Sequence, residues 1–117
     1  MDDETEVEEL VRWFEAAAIC HGYAFDTAKS ALADAVAIDL NKMFKRAHEL
    51  GPKAENRLAE LMSAGNRPWV RYYAAIATIE THRKRAMETL RELQNGTGLF
   101  SPMCTAFLAD FERPYDA

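Results

Sequence analysis

The sequence predicts an all-α domain of about six helices arranged in antiparallel pairs. Three observations carry this. Apolar residues recur at spacings of three and four along nearly the whole chain, and no segment alternates with period two over any length. Glycine, proline and asparagine then fall where they cut the chain into helix-length pieces. At 117 residues, 49% apolar and 28% charged, the chain has ordinary globular composition and suits one domain spanning 1–117.

The first helix is expected from about residue 4 to residue 21. Asp3 and Glu6 form a weak capping-box variant, and Val7, Leu10, Val11, Phe14 and Ala18 make the apolar stripe, widened by Trp13, Ala17 and Cys20. Gly22 is read as its stop, with Asp26 or Thr27 capping the next helix. The second helix, about 28–50, places Leu32, Val36, Leu40, Met43, Ala47 and Leu50 on one face. Gly51-Pro52 ends it, and Pro52 opens the third at its first position.

In the third helix Ala54, Leu58, Leu61 and Met62 form the buried stripe, ended by Gly65-Asn66. Pro68 opens a fourth helix that is apolar on two sides, with Val70, Tyr73, Ala74 and Ala77 on one and Trp69, Tyr72, Ile76 and Ile79 on the other. Such a helix is normally sandwiched between neighbours. The fifth, about 81–94, buries Ala86, Met87, Leu90 and Leu93. After the Asn95-Gly96-Thr97-Gly98 loop, Ser101 is expected to cap a sixth helix beginning at Pro102 and stopping before Pro114.

A shift of 32 residues overlays the third and fourth helices on the fifth and sixth. Leu58 then falls on Leu90, Leu61 on Leu93, Ala74 on Ala106, Ile76 on Leu108, Ala77 on Ala109 and Ile79 on Phe111. Repeated helix pairs that cannot bury their faces alone are the signature of a stacked α-α solenoid. The segment Val70-Arg71-x-x-Ala74-Ala75-x-Ala77 resembles the second helix of a HEAT repeat. In such repeats the arginine usually bonds toward the inter-helix turn, often to an aspartate about six residues earlier; that position here is Gly65, beside Asn66. Together with Leu10-Val11-x-x-Phe14 and Leu50-Gly51-Pro52, this segment makes the chain, over about residues 7–111, resemble a small bacterial family of unknown function. The resemblance implies a HEAT/armadillo-like α-α superhelix and no active site. Residues 52–111 are then two HEAT-like pairs, and residues 1–50 two longer helices capping the stack.

The net charge of −5 argues against general nucleic-acid binding, which rests on neutralising phosphates. Residues 1–50 carry eleven acidic and five basic side chains, whereas 51–117 carry eight and nine. Six of the acids (Asp2, Asp3, Glu4, Glu6, Glu8 and Glu9) crowd the first nine positions, where carboxylates complement a helix N-terminus. No apolar run of transmembrane length occurs, the first residues are acidic where a signal peptide is basic, and Cys20 and Cys104 form no C-x-x-C pair. A cytoplasmic protein with two buried thiols is expected.

Little catalytic chemistry is legible. His21, His48 and His82 are distant in sequence and read as surface or helix-end residues, so no metal and no cofactor are expected. No G-x-S-x-G, Walker A or G-x-G-x-x-G motif occurs, and Asp34 and Asp39 stand about 140° apart around their helix. The expectation is a non-enzymatic protein-protein interaction module, an adaptor or an immunity-type inhibitor of a bacterial toxin. Arg67, Trp69, Arg71, Tyr72 and Arg83 are its candidate partner-binding surface, because Trp, Tyr and Arg are enriched at binding hot spots and Trp69, Tyr72 and Tyr73 are not expected all to point inward, so that one should reach the surface or a groove. A competing expectation is a small-molecule-binding or enzymatic domain, with a pocket between the second and fourth helices holding Asp39 with Tyr72 or His48. The third is weak nucleic-acid binding through Arg83-Lys84-Arg85.

Overall fold

A computed structural model describes residues 3–26, 29–63, 65–96 and 100–112, and all of its regular structure is helical. Among these residues six helices follow in order: α1 (Asp3–Asp26), α2 (Ser30–Leu50), α3 (Pro52–Glu60), α4 (Pro68–Thr78), α5 (Arg83–Gln94) and α6 (Phe100–Glu112). The number of helices is that expected, as are the breaks at Gly51-Pro52 and before Pro68. The Thr27 cap, Gly98 and Pro114 lie outside the described residues.

Two glycines act differently from one another. Gly51 sits at φ +91°, a conformation that side chains other than glycine rarely adopt, and its N–H donates to the carbonyls of Ala47 and His48. It closes α2 and opens α3 as the single residue between them, and Pro52 needs no donor at the first helical position. Gly22, by contrast, does not stop its helix. α1 runs on to Asp26, and Gly22 lies buried within it, directly beneath the indole of Trp69.

Smaller boundary shifts have local causes. α3 ends at Glu60 because Leu61, Met62 and Ser63 tighten into three-residue bonds back to Leu58, Ala59 and Glu60. The Asn66 amide donates to the Leu61 carbonyl at 2.9 Å, serving one of the orphaned acceptors of that end. α6 starts at Phe100, so Ser101 is its second residue rather than its cap, and Pro102 still falls in the first turn, where its missing N–H costs nothing.

α1 lies antiparallel along α2 and also touches α3 and α4; α2 packs on α3, α3 on α4, α4 on α5 and α5 on α6. α4 is therefore covered by α1, α3 and α5, as its two apolar sides require. The core runs from Val7, Val11 and Phe14 through Leu40, Leu58, Met62, Ala74 and Ala75 to Leu90, Leu93 and Cys104. Thr78, wholly buried, satisfies its hydroxyl by donating to the Ala74 carbonyl at 2.8 Å.

The 32-residue overlay holds for the first helix of each pair and weakens in the second. Leu58 and Leu90 are both fully buried, and Leu93 is buried where Leu61 is half-buried. Ala74 is buried whereas Ala106 and Ala109 are exposed, because α4 has neighbours on several sides and α6 packs chiefly on α5. The side chain of Phe111 lies outside the described set.

Candidate functional site

The five residues expected to share a surface are divided by the fold. Tyr72 is buried and Trp69 half-buried. Trp69 stacks on Tyr73 (centroids 6.0 Å apart, planes at 18°) and meets His21 edge-on at 5.9 Å. None of the three aromatics is exposed. The expectation that one must reach solvent fails because α4 has neighbours on three sides, which is the sandwiching that its two apolar sides imply. Arg71 is also committed inward. Its Nε donates to the Met62 carbonyl at 2.9 Å and its Nη2 to Glu92 at 2.6 Å, so one side chain, 13% exposed, ties the α3–α4 turn to α5. Arg67 and Arg83 are exposed, before the first residue of α4 and at the first of α5.

His21 corrects a second expectation. It is buried in α1 rather than placed at the surface. Its Nδ1 lies 2.7 Å from the Tyr73 hydroxyl, which is positioned to donate to it. Burial holds the imidazole below its ordinary pKa, with Asp34 opposing weakly, and the same desolvation pushes the Tyr73 phenol upward. Burial takes Tyr72 up to about 12. A neutral histidine accepting from a neutral phenol is a structural pair, satisfied within the aromatic cluster that pins α1 to α4. The other histidines are tied to polar side chains: His48 Nδ1 to Glu55 at 3.1 Å, and His82 Nε2 to Asn56 at 2.8 Å.

A cleft of about 500 Å³ does open between α2 and α4, closed at one end by α3. Phe44, Ile76 and Ile79 line its apolar part, and His48, Glu55 and Glu80 its polar edge. The polar cluster expected there does not assemble. Tyr72 is in the core, Asp39 is exposed elsewhere on α2, and only His48 of the three named residues lines the cleft. Among the described residues no three of His, Cys, Asp and Glu converge as metal ligands. Arg83, Lys84 and Arg85 are all exposed, and Arg83, Lys84 and Arg91 line a shallow groove along α5 that Glu88 shares.

The residues that do face solvent unexpectedly are on the α1–α2 hairpin. Trp13 is 68% exposed, Tyr23 57%, Ile38 57% and Leu32 39%. Trp13 and Leu32 were assigned to buried stripes, but α1 turns Phe14 into the core, and the adjacent position points about 100° away. Ala16, Ala31 and Ala35 are exposed around them. Trp13 lies beside Glu9, Leu10 and Arg46 in a shallow depression, on the side of α1 that meets α2. One sequence signal marks this face. Residues 16–25 contain no Asp, Glu, Lys or Arg, and residues 30–41 contain only Asp34 and Asp39, in a chain that is 28% charged. Lys29 spans the end of the hairpin with its ammonium 5.5 Å from the Tyr23 ring centre.

Compared with family models, curated proteins and solved structures, the chain has no match.

Proposed function

We propose that this chain is a protein-protein interaction module, a short HEAT-like stack serving as an adaptor or as an immunity-type inhibitor, and that the outer face of the α1–α2 hairpin is its docking surface. One observation carries the reading: Tyr23 and Ile38 stand exposed on the charge-poor stretches 16–25 and 30–41 of two long helices, with exposed Trp13 at the charged border of the first. Charge depletion with exposed aromatics distinguishes the centre of an interface from ordinary surface, and single soluble domains seldom leave such patches uncovered. The reading moves the docking surface away from Trp69 and Tyr72 and keeps the class of function expected from composition. It involves no catalysis, and a cytoplasmic setting agrees with the two free thiols and with the absence, among the described residues, of a helix long and apolar enough to cross a membrane.

Affinity capture with the wild-type chain, Trp13→Ala and Ile38→Ala tests it. Partners retained by the wild type and lost by both variants support the reading. Retention by both variants overturns the assignment of this face.

A second reading is favoured by the α2–α4 cleft, whose volume lies within the range of small-ligand sites. It supposes a small amphiphile with its apolar part over Phe44 and Ile76 and a polar group at His48 and Glu55. Chemical-shift changes confined to these residues on titration with a metabolite library would favour it over the docking reading. Nucleic-acid binding through Arg83, Lys84 and Arg85 has only their exposure behind it, and it requires a steep salt dependence of DNA affinity.

A further inference from the structure

The α1–α2 face has a pattern that selects among partners. Along α2, Asp34, Ile38 and Lys42 are all exposed and follow at steps of four, so they form one line on the outer side of the helix: acid, apolar, base. Turned end for end about Ile38, that line matches itself. Asp34 of one copy then stands opposite Lys42 of the other, twice, with the two Ile38 side chains between them.

The other helix of the hairpin, α1, agrees with the same axis. The Arg46 guanidinium reaches Glu6 (Nε–Oε1 2.9 Å), which marks the antiparallel register of α1 against α2. With Arg46 level with Glu6, Ile38 comes level with Phe14, one residue from Trp13. Trp13 and Ile38 therefore share a level near the middle of the hairpin. A two-fold axis there brings both into contact with their own counterparts, as an isologous interface requires.

Area and net charge point the same way. Two helices of 24 and 21 residues, rising about 1.5 Å per residue with axes about 10 Å apart, present a face of roughly 30 by 20 Å. Side-chain relief raises this toward the ~800 Å² per partner of a standard stable interface. Each chain carries −5, so two copies repel over most of their surface. They meet with least penalty where charge is sparse and pairs with itself, as along the Asp34–Ile38–Lys42 line, with Asp39 the one further charge among residues 30–42.

We propose that the α1–α2 face takes a second copy of this chain, forming an antiparallel four-helix bundle centred on Trp13 and Ile38, with Asp34 and Lys42 paired across the two-fold axis. This rests on the reading of that face as an interaction surface and names its occupant. The α2–α4 cleft, on the other flank of α2, is left open for a further partner.

Sedimentation equilibrium from about 1 to 500 µM tests the proposal, with circular dichroism confirming that each variant is folded. The wild type is expected to pass from the 13.2 kDa chain mass to twice that value. Ile38→Glu should raise the dimer dissociation constant roughly thirtyfold or more. Asp34→Lys and Lys42→Asp should each weaken the dimer, and the double exchange Asp34→Lys/Lys42→Asp should restore it, because each new lysine again faces an aspartate. A wild type monomeric throughout overturns the proposal, as does a dimer indifferent to Ile38→Glu or one that the double exchange fails to rescue. The broader reading fails separately. A monomer that still loses a captured partner on Trp13→Glu keeps this face as a site for a different protein, whereas a monomer that captures nothing sinks both.

Discussion

Gly22→Ala isolates the contact that decides how α1 meets α4. A methyl built on Gly22 lies 2.3 Å from Cγ and Cδ1 of Trp69 and 2.7 Å from Nε1. Carbon atoms rest at about 3.5–4.0 Å, so the indole must retreat by more than 1 Å. It cannot retreat freely, being stacked on Tyr73 and held edge-on by His21 and Tyr72. Overpacking of this kind costs about 1–3 kcal/mol, with further loss as the aromatic contacts open. Against it stands the preference of a helix interior for alanine over glycine, about 1 kcal/mol. The net expectation is destabilisation by about 1–2 kcal/mol, a fall in Tm of roughly 3–8 °C for a domain of this size. Thermal and urea unfolding of Gly22→Ala, Trp69→Ala and the double variant give the coupling directly. With the indole gone, Gly22→Ala should turn stabilising by about 1 kcal/mol. If it stabilises in the wild-type background as well, Trp69 does not press on Gly22 and the account of the α1–α4 contact is wrong.

Three other outcomes follow from the same geometry. His21, held below its ordinary pKa by burial, takes up a proton in the unfolded chain near pH 6.5 and at lower pH when folded, so stability should fall as pH drops below about 6.5 and level off once the folded imidazole is also protonated. Urea midpoints measured between pH 7.5 and 5 should show this slope in the wild type and lose it in His21→Gln; Glu8, lowered by its bond from Arg57, adds its loss only in the separate window below pH 4.5. Arg71→Lys should cost about 1–2 kcal/mol in urea unfolding, because a single ammonium cannot reach the Met62 carbonyl and Glu92 together, and a cost as small as that of Arg57→Ala on the exposed face would contradict the clamp. Cys104, fully buried with its thiol pushed up to about 11, should react with a thiol reagent only as fast as the protein unfolds, whereas half-buried Cys20 reacts in the native state; equal rates would refute the burial.

The all-α class and the six helices were legible in the sequence, and the candidate site was not. Pro52, Pro68 and Gly51 mark breaks through backbone rules that act within a few residues, and they stand where expected. The sides of a helix stripe are another matter. Trp13 beside Phe14, and Trp69 beside Val70, are alike in sequence: each is an aromatic one position from a core residue. One is two-thirds exposed and the other packs inside, because Trp13 lies on a flank of α1 that its neighbours leave open, whereas Trp69 is laid over Gly22 of α1 and against Tyr73. His21 looked like a helix end because Gly22 looked like a stop, and the mistake came from reading glycine as punctuation where it provides room.

What the sequence determined alone is therefore the all-α class, the six helices and the breaks at Gly51-Pro52 and before Pro68, since these depend on periodicity and on φ,ψ limits that each short segment carries with it. What only the tertiary structure decided is which flank of each stripe is covered. That placed Tyr72 and His21 inside, gave Arg71 the Met62 carbonyl and Glu92 as partners, and left Trp13, Tyr23 and Ile38 in water. Coverage depends on where around a helix its neighbours come to lie, and no local rule in the chain fixes that.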